Sequence, residues 1–144
     1  MRILIIGLPG TGKTTWVKNN LEQNDLCFDL DWLAAAMVLG SEHERKNWIA
    51  KRVTNKLLLP LVFEMENETN RAGGNVFIIR CAPDWNELDD LDPDYVLFFV
   101  KEYDISNRKI IDNTGLPEAR TRVGAAVAWC KEQRVPYKII GNDS

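Results

Sequence analysis

Gly7-Leu8-Pro9-Gly10-Thr11-Gly12-Lys13-Thr14 has the G-x-x-x-x-G-K-[ST] spacing of a loop that wraps a phosphate. Glycines at those positions let successive backbone N–H groups turn inward around an anion, because a Cβ would crowd it and restrict φ. Lys13 supplies a point charge for the outer phosphates of a nucleotide, and Thr14 a hydroxyl for Mg²⁺. A helix opening near Lys13 aims its positive end at the same place. Gly7, Pro9, Gly10, Thr11, Gly12, Lys13, Thr14 and Thr15 are therefore the expected nucleotide-binding residues. A glycine-rich turn that binds nothing would have the same letters. The context speaks against it, since an apolar run over 3–6 precedes the loop and a stretch without Gly or Pro over 13–23 follows.

Asp29 and Asp31 form the second group with chemical potential. Two residues apart on an extended chain, they point to one side with Cα atoms roughly 6 to 7 Å apart. A carboxylate at the end of an apolar strand is costly without a partner, and a Mg·nucleotide provides one. The competing reading is that Asp31 caps the following helix and Asp29 pairs with a nearby Lys or Arg.

The remaining candidates are cations. Arg80 and Lys101 end expected strands, Arg108 lies in a polar stretch, and Arg120 and Arg122 lie on an expected helix whose arginines can equally be a solvated face. His43 sits among charges in a first helical turn with no evident role. Trp16, Trp32, Trp48, Trp85 and Trp129 read as core or rim, with Trp32 beside Asp31 able to floor a pocket.

The elements that must position these residues alternate. Strands are expected over 3–6, 26–30, 76–79, 95–100 and 137–140. Between them the pattern predicts a helix over 13–23, a short one over 32–39 and a longer one opened by the Ser41 and Glu44 capping box. Pro60 should break or bend that helix near Leu59, with 61–70 a second helix or, the favoured reading, a bent continuation. Short and long helices are then expected over 83–91 and from Pro117 to about Val135. Alternation of this kind predicts an α/β fold: a five-stranded parallel sheet with helices on both faces and ligands at the carboxyl ends of the strands. The phosphate loop, Asp29, Asp31, Arg80 and Lys101 all fall at that edge. Residues 101–116 form the most polar connection.

At 144 residues the chain has room for one domain, and 45% hydrophobic residues suffice for its core. A net charge of −3, from 18 Lys+Arg against 21 Asp+Glu, argues against coating long nucleic acid. Cys27, Cys81 and Cys130 are widely spaced in apolar surroundings, the pattern of reduced thiols in a cytosol rather than a disulfide or zinc framework. No stretch reaches the roughly 18 apolar residues of a membrane span, and the first apolar run is too short for a signal peptide. A soluble cytoplasmic protein is expected.

Residues 7–15 together with Phe28-Asp29-Leu30-Asp31 resemble small P-loop kinases of the shikimate and gluconate kinase type. Gly-Lys-Thr-Thr-Trp is also similar to the kinase domain of phage polynucleotide kinase. The front half through Ala36 is similar to small phage-encoded AAA-family ATPases or nucleotide kinases, for which the cytoplasm would be the host's. The resemblance implies ATP and Mg²⁺ as donor and cofactor, a sheet order of 2-3-1-4-5, and Asp29 with Thr14 on the metal. It further implies that Asp31 activates an acceptor, that Arg80 holds it, and that a lid over 101–120 brings arginines such as Arg108 and Arg120 to the transferred phosphoryl group. The acceptor class would be a nucleoside, a nucleotide or a nucleic-acid 5′ end. Two departures are visible: no Asp follows the 76–79 strand, so Asp29 must replace it, and Gly73-Gly74 precedes that strand. The second weakens a shikimate-type assignment; the first, with the ATPase label of the similar phage proteins, supports the rival expectation, a nucleotide-dependent switch or ATPase acting through a protein partner.

Overall fold

The computed structural model describes residues 1–8, 10–39, 44–100 and 116–141, with 44–47, 100 and 116–120 as backbone only. In chain order the elements are β1 (Arg2–Gly7), α1 (Lys13–Asn20), β2 (Leu26–Asp29), α2 (Leu30–Met37) and α3 (Glu44–Ala72). They continue with β3 (Val76–Arg80), α4 (Trp85–Leu91), β4 (Tyr95–Val100), α5 (Leu116–Gln133) and β5 (Tyr137–Gly141). The strands form one five-stranded sheet in the order β2-β3-β1-β4-β5, every pair parallel.

β1 is central because its side chains must be buried on both faces: Leu4, Ile5 and Ile6 are fully buried. Alternation along the strands divides the core in two. Leu4, Ile6, Phe28, Val76, Ile78, Val96 and Phe98 pack on one face against Leu58 and Val62 of α3, Leu88 and Leu91 of α4, and Ala126, Trp129 and Cys130 of α5. Ile5, Phe77, Ile79, Leu97 and Phe99 pack on the other against Val17 and Trp16 of α1. The Trp16 ring meets Phe77 and Phe99 edge-on at 6.2 and 5.9 Å. Each fully buried side chain of this size stabilises the fold by roughly 1.5–3 kcal/mol, so both faces hold β1, and with it the loop that follows, in place.

α3 is a single 29-residue helix with Pro60 inside it. Pro60 is exposed, so the backbone carbonyl freed by its missing N–H lies on the solvent side, where water can satisfy it. The helix ends in a Schellman turn: Gly73, at φ 78°, donates to the Asn70 carbonyl at 3.4 Å and Gly74 to the Thr69 carbonyl at 2.8 Å. A Cβ on Gly74 would lie 1.8 Å from the Asn24 backbone oxygen, so the turn after α3 presses on the turn before β2. Asn24 Nδ2 donates to the Ala72 carbonyl at 3.0 Å, and Asp25 Oδ1 accepts from the Asn75 amide at 2.8 Å.

Some boundaries differ from the sequence expectation. α1 stops at Asn20, and β2 ends at Asp29 because Leu30 already opens α2. α4 starts at Trp85, two residues after the expected Pro83, because the Asp84 carboxylate caps it by accepting from the Glu87 amide at 2.8 Å. Ser41 of the expected capping box and His43 lie outside the described residues, as does the expected lid apart from the backbone of 116–120. Cys27, Cys81 and Cys130 form no disulfide. Cys130 is buried and the other two are half-buried; burial pushes the Cys27 thiol up to about 12 and that of Cys130 up to about 11. Among the described residues, no helix is long and apolar enough to cross a membrane.

Candidate functional site

The loop between β1 and α1 is built by close approach and by reversed backbone torsions. A Cβ on Gly7 would stand 2.6 Å from Thr11 Oγ1 and 2.9 Å from the Phe99 carbonyl oxygen. Gly10 and Gly12 have φ of 79° and 90°, which L side chains rarely adopt. Buried Thr11 holds the loop's curvature: its hydroxyl donates to the Leu8 carbonyl at 2.8 Å and its amide to the same oxygen at 3.3 Å. Gly12 stands at the N-cap of α1 and offers no side-chain acceptor. The first-turn amides of Lys13, Thr14 and Thr15 are thus left for an external anion. Pro9 lies outside the described residues.

Lys13 Nζ donates to the Gly7 carbonyl, so the ammonium spans the mouth of the loop. Burial lowers the Lys13 pKa; Cys81, Asp29 and Asp31 oppose that shift, while Arg80 adds to it. The ends of β1, β2 and β3 thus converge electrostatically on one lysine. Thr14 Oγ1 donates to Asp29 Oδ2 at 3.3 Å. Burial raises the Asp29 pKa, partly offset by backbone hydrogen bonds from Asp31 and Trp32 and by the Thr14 hydroxyl.

Asp29, not Asp31, is the cap of α2: its Oδ1 accepts from the Asp31 amide at 3.0 Å. The sequence reading that gave Asp31 this role fails because the helix starts at Leu30, two residues earlier than expected. Asp31 occupies the first turn, its side chain 76% exposed and 3.4 Å from Lys51 Nζ. A pair so exposed contributes little, about 0–1 kcal/mol, so the Asp31 carboxylate stays available. Trp32 is also on this rim, with Lys18 Nζ 4.5 Å from its ring centroid.

Arg80 has partners that the sequence did not announce. Its guanidinium donates to Glu87 Oε1 at 2.5 Å and to Asn55 Oδ1 at 3.0 Å, linking β3 to α4 and α3. Asn55 and Glu87 also line a groove of about 400 Å³ between α3 and α4, with Leu58, Pro60, Asp84 and Asp90. Cys81 was missed as well, although a residue directly beyond a β-strand beside β1 had to fall near the loop. Arg108 lies outside the described residues, and Arg120 is described only as helical backbone in α5.

Among the described residues there is no cluster of three or more His, Cys, Asp or Glu able to cage a metal. Mg²⁺ at a nucleotide needs less: one or two carboxylates, a hydroxyl and substrate phosphates. The Thr14 hydroxyl and the half-buried Asp29 carboxylate are oxygen donors already in contact beside Lys13, so the donor set fits this ion.

No protein-family model matches the chain. No curated protein matches it in sequence. Among solved structures it is similar to a thymidylate kinase from Candida albicans, with a TM-score of 0.52 at 14% identity over 99% of this chain and 84% of that one. It is also similar to a sugar kinase from Janibacter, with a TM-score of 0.50 at 17% identity over 97% of this chain and 84% of that one. At these identities the likeness is one of fold: the 2-3-1-4-5 sheet with helices around it is that of P-loop kinases.

Proposed function

We propose that the protein is an ATP- and Mg²⁺-dependent phosphotransferase that moves the γ-phosphoryl group to a hydroxyl or phosphate acceptor, the favoured class being a nucleoside, a nucleotide or a nucleic-acid 5′ end. The observation that carries this reading is the contact between Thr14 and Asp29 beside Lys13. It joins the phosphate loop to the end of β2, leaving a second carboxylate, Asp31, on the open side. Kinase activity in two proteins of the same fold adds support.

Phosphoryl transfer asks a protein mainly for positioning and charge neutralisation. The loop amides and Lys13 hold the donor phosphates. Thr14 and Asp29 would hold Mg²⁺, which would supply further neutralisation of the triphosphate. Asp31 takes the proton of an acceptor hydroxyl as its oxygen attacks the γ-phosphorus; the bond to the bridging oxygen breaks and ADP leaves. Arg80 orients the acceptor, and Arg108 and Arg120 are assigned to the migrating group.

The test is incubation of the full chain with γ-labelled ATP and Mg²⁺ against nucleosides, deoxynucleoside monophosphates, 5′-hydroxyl oligonucleotides and small polyols. Label on one class, lost in Asp31→Asn while ATP binding persists, is the expected result. Label on none, with hydrolysis stimulated by a protein partner, would identify a nucleotide-dependent switch instead.

A further inference from the structure

A run of contacts crosses the rim of the site from α1 to α3. Lys18 Nζ of α1 lies 4.5 Å from the ring centroid of Trp32 on α2. Asp31, the residue before Trp32, lies 3.4 Å from Lys51 Nζ of α3. Trp48, Lys51 and Arg52, three and four residues apart, share one face of that helix, and the Arg52 guanidinium lies 5.7 Å from the Trp48 ring centroid. Rings and cations thus alternate along the rim. Trp32 is 60% and Trp48 54% exposed, so each ring keeps surface in water beyond what its cation covers. Neither ring belongs to the core on either face of the sheet.

Charge is sorted around this run, although the chain as a whole carries −3. Residues 48–63 hold Lys51, Arg52 and Lys56 and no acid, whereas Asp84, Glu87, Asp89, Asp90, Asp92 and Asp94 collect on and beside α4. Lys56 faces part of that acidic group across the groove between α3 and α4, which leaves Lys18, Lys51 and Arg52 as the cations of the rim. A polyanion is therefore drawn over the starts of α2 and α3 and repelled from α4. A single nucleoside would engage one ring and no cation. Two rings interleaved with three cations match successive bases and phosphates of an unpaired strand.

We propose that this rim is a short track for the 5′ end of a single-stranded nucleic acid, with bases stacked on Trp32 and Trp48 and phosphates between Lys18, Lys51 and Arg52. The strand enters from the side of α2 and α3, and its terminal hydroxyl lies at Asp31. There the hydroxyl oxygen bonds to the γ-phosphorus of ATP, its proton passes to Asp31, the bond to the bridging oxygen breaks and ADP leaves. That last role rests on the phosphotransferase reading, whereas binding of the strand does not.

Fluorescence anisotropy of a 3′-labelled, 5′-hydroxyl deoxythymidine oligonucleotide with the full chain tests the track. Binding should quench tryptophan fluorescence, and log affinity should fall against log salt with a slope of about −2, for phosphate contacts at about −0.7 each. Trp32→Ala and Trp48→Ala should each weaken binding about fivefold or more, with unchanged far-UV circular dichroism. Should either lose its helical signal, Lys18→Gln and Arg52→Gln decide, each lowering the salt slope by about 0.7. No binding at low salt overturns the track, as does binding indifferent to all four changes, or polyglutamate bound as tightly as the oligonucleotide. A strand that binds by these criteria but takes no label from γ-labelled ATP strikes the phosphotransferase role and leaves the track standing. Label on a small acceptor without strand binding does the reverse.

Discussion

Asp29 touches two elements at once: one carboxylate oxygen receives the Thr14 hydroxyl at 3.3 Å while the other receives the Asp31 amide at 3.0 Å and caps α2. The end of β2 is therefore both a helix start and the wall facing the phosphate loop. The two jobs make different demands. Capping needs an acceptor oxygen, whereas holding a cation needs a charge.

Asp29→Asn separates them. Asparagine caps as well as aspartate, so α2 should stay formed while Mg²⁺-dependent turnover is lost. Because burial raises the Asp29 pKa, the folded state holds more protons than the unfolded one between the ordinary carboxylate value and the raised one. Stability then falls as pH rises through that window, and the cost is fully present above it. Asp29→Asn removes this cost, so its thermal midpoint at neutral pH should equal or exceed that of wild type, whereas Asp29→Ala also loses the cap and about 1 kcal/mol. Equal destabilisation by both changes in thermal melts would contradict this division of roles.

Lys13 carries the opposite linkage. Burial lowers its pKa, so between the lowered and ordinary values the unfolded chain binds more protons and stability rises with pH. Lys13→Met should abolish this alkaline gain. It should also abolish the rise in thermal midpoint that ADP with Mg²⁺ produces in wild type. A nucleotide-induced shift of undiminished size in the variant would remove Lys13 from the phosphate site.

Gly7→Ala tests the shape of the loop. A methyl 2.6 Å from Thr11 Oγ1 and 2.9 Å from the Phe99 carbonyl forces the loop away from β4. Urea unfolding should show a loss of roughly 1–3 kcal/mol, the usual cost of overpacking, and nucleotide affinity measured by calorimetry should fall with it.

Arg80→Met asks whether the guanidinium holds an acceptor or only the fold. Removing it strands Glu87, whose side chain is 24% exposed, at a cost of about 1–3 kcal/mol in chemical unfolding. If Arg80 also orients the acceptor, the acceptor KM rises while the KM for ATP does not. An unchanged acceptor KM would leave Arg80 as a tie between β3, α3 and α4.

Much of this was legible because the fold is written in local runs. β1, β3 and β4 are continuous apolar segments, as strands covered on both faces must be, and the glycine spacing of 7–14 specifies a loop almost by itself. Asp29 and Asp31 were found for the same reason, since any residue just past a parallel strand falls at the ligand edge. Their roles at the helix start were not, because capping turns on a two-residue boundary that periodicity does not resolve. The partners of Arg80 were also invisible: Asn55 lies 25 residues earlier on α3 and Glu87 seven residues later on α4, and they meet the guanidinium only when both helices pack on the same face of the sheet. Lys51 beside Asp31 is a third case.

The contact between Gly74 and Asn24 lies at the amino end of the sheet, opposite the phosphate loop, yet it reaches the chemistry. β2 is a four-residue edge strand paired only with β3, and this contact holds its register together with the Asn24–Ala72 and Asp25–Asn75 hydrogen bonds. A slip by one residue would turn Phe28 out of the core and swing Asp29 away from Thr14. With no Cβ at Gly74, the two turns lock like a detent, and the placement of the Asp29 carboxylate is indexed from a glycine at the far end of the sheet.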